Sequence, residues 1–139
     1  MPGYIEDEND KDDNPVTPHE EHNEAEGMVL KVNGANIVVV KEGKVESGKV
    51  TVKTGESTAE ITSRFLHHDG DEFIPDEEGS SLALEIADAT IATAAVVSGK
   101  EWEFKVSGLK AGTTTMVVKL MHNDHADFTT PAITVEVIN

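Results

Sequence analysis

Residues 28–40 run Met28-Val29-Leu30-Lys31-Val32-Asn33-Gly34-Ala35-Asn36-Ile37-Val38-Val39-Val40, and they read as strand, turn, strand. The apolar residues on either side of Asn33-Gly34 are mostly β-branched. Asn-Gly is the dipeptide that most readily adopts the left-handed torsions of a two-residue hairpin turn. The chain therefore enters its folded part as an antiparallel hairpin.

The same period continues downstream. Glu42-Gly43 and Ser47-Gly48 punctuate short turns around Lys44-Val45. Val50 to Val52 and Ala59 to Leu66 read as strands, with Gly55 between them. A polar, acidic loop follows from His67 to Ser80. Leu82 to Ile86 and Glu101 to Val106 alternate apolar with polar, the signature of a half-buried strand. Ile91 to Val97 is alanine-rich and open to a helical reading, but its neighbours and Gly99 favour a strand. Met116 to Met121 and Ile133 to Val137 complete the set. Short strands with frequent turn signals and no amphipathic helix predict an all-β, immunoglobulin-like β-sandwich of about 7–9 strands. Trp102 and Phe104 share a face and are the expected aromatic anchors, with the other phenylalanines expected to fix loop ends.

Upstream of residue 28 the composition changes. Residues 1–27 hold ten Asp/Glu against Lys11 alone, a net of −9 within the whole chain's −16. So acidic a stretch, with Tyr4 its sole aromatic residue, buries too little apolar surface to offset the entropy of ordering it. The expected organisation is a disordered acidic leader over 1–27 and one sandwich domain over 28–139. A chain this acidic repels phosphates, so nucleic acid is not an expected partner. The absence of cysteine removes disulfides and thiolate chemistry. No apolar run reaches the roughly 20 residues that span a bilayer, and no signal peptide is visible. An exported protein with this sequence would have lost a signal or a lipoprotein anchor from its precursor.

A family resemblance enters at ADATIATAAVVSGKEWEFKVSGLKAGTTTMVVKL. This stretch resembles the second half of a bacterial immunoglobulin-like domain of the intimin-type surface protein group. The residues that carry it are Asp88, Ile91 and Ala92, then Gly108, Ala111, Gly112 and Thr114. The likeness covers roughly residues 82–137; the earlier half departs from it, most of all in the acidic loop over 67–80. It implies a sandwich at a bacterial cell surface, extracellular or periplasmic, with no catalytic residues to carry over.

Two segments of the chain also resemble each other. Gly55 to Pro75 and Gly112 to Pro131 each run from a Gly-x-x-Thr turn through an apolar strand into a loop that begins His-x-Asp. An acid follows three residues after that Asp, and then a Phe: His67, Asp69, Glu72 and Phe73 in one copy, His122, Asp124, Asp127 and Phe128 in the other. His68 and Asp71 enrich the first loop and His125 the second. Imidazole with carboxylate suits zinc first, with copper or nickel as alternatives, while a purely oxygen set suits calcium. The candidate metal ligands are thus His67, His68, Asp69, Asp71, His122, Asp124, His125 and Asp127. His19 and His22 in the leader are possible auxiliary ligands. All six histidines fall in the leader or the two loops, outside the expected strands. The plainer reading of the same residues is turn-capping Asp and solvated His.

No Gly-rich phosphate cradle and no Gly-x-Ser-x-Gly elbow is present, so an enzyme is not expected. Two functions remain open at this level. One is an exported module that binds a divalent metal ion through the two His/Asp loops. The other is a structural or adhesive surface sandwich that joins other surface proteins or copies of itself by strand addition, its His loops incidental or holding a structural ion.

Overall fold

The computed structural model describes residues 25–76 and 78–139. The leader expected over 1–27 lies outside them but for its last three residues. Glu26 already belongs to the sandwich, donating its N–H to the carbonyl of Leu66 at 2.8 Å.

Among the described residues every regular element is a strand: β1 (Gly27–Val32), β2 (Ala35–Lys41), β3 (Lys44–Gly48), β4 (Val50–Lys53), β5 (Ile61–Leu66), β6 (Glu72–Phe73), β7 (Ser80–Ile86), β8 (Ala92–Val97), β9 (Lys100–Gly108), β10 (Gly112–His122), β11 (His125–Thr129) and β12 (Ile133–Ile138). Among the described residues no helix is long and apolar enough to cross a membrane. The Asn33-Gly34 turn forms as read, with φ of 52° and 84° and Val32 paired to Ala35. The alanine-rich stretch is strand β8, paired along its length with β9.

One sheet runs β3-β2-β1-β5-β9-β8, with β6 paired to the end of β5. In the other, β10 carries β7 along one edge, while β12 and then β11 share its opposite edge. β4 closes that sheet by pairing in parallel with β12. The core order β1-β5-β9-β8 facing β7-β10-β12 is the ABED/CFG arrangement of constant-type immunoglobulin domains. The molecule is an all-β, immunoglobulin-like sandwich.

The described residues form twelve strand elements where seven to nine were expected, and the additions have local causes. β6 has two residues, too short for alternation to show. β11 and β12 are one return strand, interrupted at Thr130-Pro131-Ala132 because Pro131 has no N–H for the ladder. Thr130, buried at 3% exposure, bridges the interruption. Its N–H donates to the Val118 carbonyl and its Oγ1 accepts from the Val118 N–H, both at 3.0 Å. Thr130→Val keeps the shape and leaves the Val118 N–H buried without that acceptor. We expect a loss of about 1–3 kcal/mol in urea unfolding, and an unchanged midpoint would refute this role.

Alternation selects the core. Ile61 and Phe65 of β5 share one buried cluster with Met116, Val118 and Leu120 of β10 and Ile133, Val135 and Val137 of β12. Ser63, buried between the two β5 residues, donates its hydroxyl to the Trp102 carbonyl at 2.8 Å. Phe104 is fully buried as expected, whereas Trp102 is only half-buried. Phe65 is the correction: rather than fixing a loop end, it sits at zero exposure among Trp102, Phe73 and Phe128 at centroid distances of 5.9, 6.2 and 6.1 Å. Periodicity could assign its face but not the three rings that three other strands bring to it.

The residues that carry the family resemblance have structural tasks here. Asp88 Oδ1 accepts from both the N–H and the hydroxyl of Thr90, and these bonds hold its carboxyl below the usual carboxylate range. Thr114 Oγ1 in turn accepts from the Asp88 N–H at 3.0 Å. Gly108 lets β9 pass close to the Lys53 carbonyl, which a Cβ would approach to 2.6 Å.

Candidate functional site

The two related hairpins, β5–β6 and β10–β11, leave the sandwich at the same end. Phe65, near the end of β5, touches Phe73 of its own hairpin and Phe128 of the other. The pairing preserves the correspondence read in the sequence, for Phe65 pairs with Phe73 as Leu120 pairs with Phe128. Both loop phenylalanines thus pin their hairpins to the core.

The turns differ. In the first, the N–H of His67 donates to the Asp71 carbonyl and the N–H of Gly70 to the His67 carbonyl, both at 2.9 Å. Asp69 Oδ1 accepts from the Asp71 N–H at 3.1 Å, an Asx turn. His67 lies flat on Phe73, ring centroids 4.1 Å apart. With His68 and Asp69 it lines a cleft of about 240 Å³ shared with Glu26, Lys41 and Glu42. The first loop is therefore aimed along the β1–β2 side of the molecule.

The second turn is tighter than expected, and its histidines lie within the ladder instead of in a loop. His122 ends β10, His125 begins β11, and the two form the last cross-strand pair around Asn123-Asp124. Asn123 takes the left-handed torsion at φ 59°, and its N–H donates to the Gly79 carbonyl at 2.9 Å. The spacing His-x-x-His thereby becomes a cross-strand pair, with ring centroids 5.7 Å apart and planes inclined at 63°. Asp127 is the extra residue of a bulge in β11, between Ala126, which pairs with Met121, and Phe128, which pairs with Leu120. Its Oδ1 is 3.5 Å from His125 Nε2 and its Oδ2 is 3.7 Å from His122 Nδ1. The other ring nitrogen of His125 is 3.6 Å from Asp124 Oδ1.

Among the described residues, His122, His125 and Asp127 form the group whose ligand atoms all lie within 4.8 Å of one another. His67, His68, Asp69 and Asp71 do not enter it, and Asp124 adjoins it through His125. His19 and His22 lie outside the described residues.

A second feature is an open sheet edge, which the sequence reading anticipated without locating. Among the described residues β8 pairs with β9 alone. The other edge strands carry ionisable side chains: Lys44 and Glu46 on β3, Lys53 on β4, Glu85 on β7, and His125 and Asp127 on β11. β8 has none. It lies within the eleven uncharged residues from Ala89 to Gly99, the longest such run in the chain and the signal that would have found it.

No protein-family model matches the chain, and no curated protein matches it. Among solved structures, it is similar to domains 4 and 5 of the S-layer protein SbsC, with 19% identity over 81% of this chain and 54% of that one, at a TM-score of 0.48. It is also similar to domains 5–6 of SbsC, with 20% identity over 80% of this chain and 45% of that one, at a TM-score of 0.47. The chain spans about half the length of each.

Proposed function

We propose that this chain is a structural module of a bacterial surface assembly, joined to a second copy of itself through the edge of β8. The observation that carries the reading is an edge strand with no ionisable side chain in a chain that is 27% charged. Sheet edges present unpaired backbone N–H and C=O groups, and proteins that avoid association place charge or proline there. β8 has neither, and Thr93, Ala95 and Val96 are exposed along it.

Its one irregularity lies between Val96 and Val97, so Ala92 to Val96 remain in continuous register with β9. Two such edges can pair antiparallel about a two-fold axis, which makes the contact self-complementary. A strand-addition contact this short belongs with weak interfaces, below about 1,200 Å². The surface location rests on the sequence resemblance over residues 82–137.

Sedimentation velocity of the untagged chain in EDTA, over a wide concentration range, tests the reading. The native chain should associate reversibly, and Thr93→Lys with Ala95→Lys should stay monomeric at every concentration with an unchanged unfolding midpoint. A native chain that remains monomeric, or a double variant that associates equally, would overturn it.

A further inference from the structure

We propose that His122, His125 and Asp127 bind one divalent transition-metal ion, zinc(II) by preference, across the tip of the β10–β11 hairpin. The donor set decides the class of ion. Two imidazole nitrogens and a carboxylate suit zinc, copper(II) or nickel, whereas calcium takes six to eight oxygens, more than this group offers.

The geometry agrees. Ligand atoms about 2.1 Å from a tetrahedral zinc lie about 3.4 Å from one another. Asp127 reaches His125 Nε2 at 3.5 Å through Oδ1 and His122 Nδ1 at 3.7 Å through Oδ2, both near that edge, and one ligand atom from each of the three residues lies within 4.8 Å of the others.

The three donors also stand on strands. His122 and His125 are the last rung of a ladder, and Asp127 precedes Phe128, whose ring packs against Phe65. Donors placed this way are better ordered than donors on a free loop. Asp124 Oδ1 stands 3.6 Å from the second nitrogen of His125 on a fully exposed side chain, beyond hydrogen-bond range. The side chain of His125 is 63% exposed. Three protein ligands on an exposed tip leave the fourth position to water or to a donor from another molecule.

The first loop is excluded from this site, with His67 stacked on Phe73 and Asp69 engaged in its own turn. That asymmetry provides an internal control. Zinc affinity of the untagged 139-residue chain would be measured by competition with a chromophoric chelator. The variants are His125→Ala, Asp127→Asn, the pair His67→Ala with His68→Ala, and the pair His19→Ala with His22→Ala.

One ion per chain is expected, with affinity reduced at least tenfold in His125→Ala and in Asp127→Asn and unchanged in both control pairs. Excess zinc should raise the unfolding midpoint of the native chain by several degrees and that of His125→Ala by markedly less at the same concentration. The apo midpoint of His125→Ala, an exposed substitution, verifies that it folds. Full affinity in His125→Ala, a loss that follows the first loop or the leader instead, or stabilisation by calcium in place of zinc would each overturn the site. Neither result depends on β8, whose association is measured with metal chelated.

Discussion

Replacing Phe65 by alanine is expected to destabilise the sandwich by about 3–5 kcal/mol, the range for deleting a fully buried aromatic ring. For a domain of this size each kcal/mol is worth about 4–6 °C, so Tm should fall by roughly 12–30 °C. The expectation rests on more than burial. Phe65 meets Trp102 and Phe128 edge-on, at interplanar angles of 86° in both cases, and Phe73 at 44°. Such pairs contribute about 0.5–1.5 kcal/mol each beyond the area they bury. The cavity would open where β5 meets both hairpins, and Phe73 and Phe128 would lose the ring that seats them. Phe65→Leu, which keeps much of the volume, should lose markedly less. Urea unfolding of both variants checks the ranking, and a loss below about 1 kcal/mol in Phe65→Ala would show that the core is centred elsewhere.

The second large effect is expected at Gly48. It ends β3 opposite Val38 with φ of 92°, and a Cβ there would overlap the carbonyl oxygen of Ile37. Gly99 is the matched control, with φ of 81° and no atom within 4 Å of the added carbon. The left-handed torsion alone costs a non-glycine residue about 1–2 kcal/mol. Gly99→Ala should lose that much. Gly48→Ala should lose more, at least about 2 kcal/mol, because the overlapping atom is backbone and β2 must shift from β3 to accommodate it. Hydrogen exchange should locate the added loss along β2 and β3. Equal losses in the two variants would show that Ile37 is free to move and that torsion is the whole effect.

Why some of this was legible in the sequence follows from the range of the interactions involved. The hairpin at Asn33-Gly34 depends on the torsions of two adjacent residues, and the alternation of β5, β9 and β10 on a period that any single strand displays. The strand character of Ile91 to Val97 came from neighbouring turn residues. Thr130 was not legible as a bridge, since its partner Val118 lies on another strand, and neither was β6, whose two residues pair only because β5 is beside them. The histidine pattern was visible as residue types. Its division into one assembled group and one separate loop was not, because it turns on Phe73 holding His67 and on a two-residue turn bringing His125 against His122.

By itself the sequence determined the β class, the alternation of β7 and β9, the Asn33-Gly34 turn and the concentration of negative charge ahead of residue 28. These are properties of residues within a few positions of one another. The tertiary structure alone decided that β5 and β10 face each other with both His hairpins at one end, that Phe65 is where their rings meet, and that β8 is an open edge. Those outcomes depend on which strands pair across the fold. Pairing is selected by the burial of the whole core at once, and no local pattern encodes it.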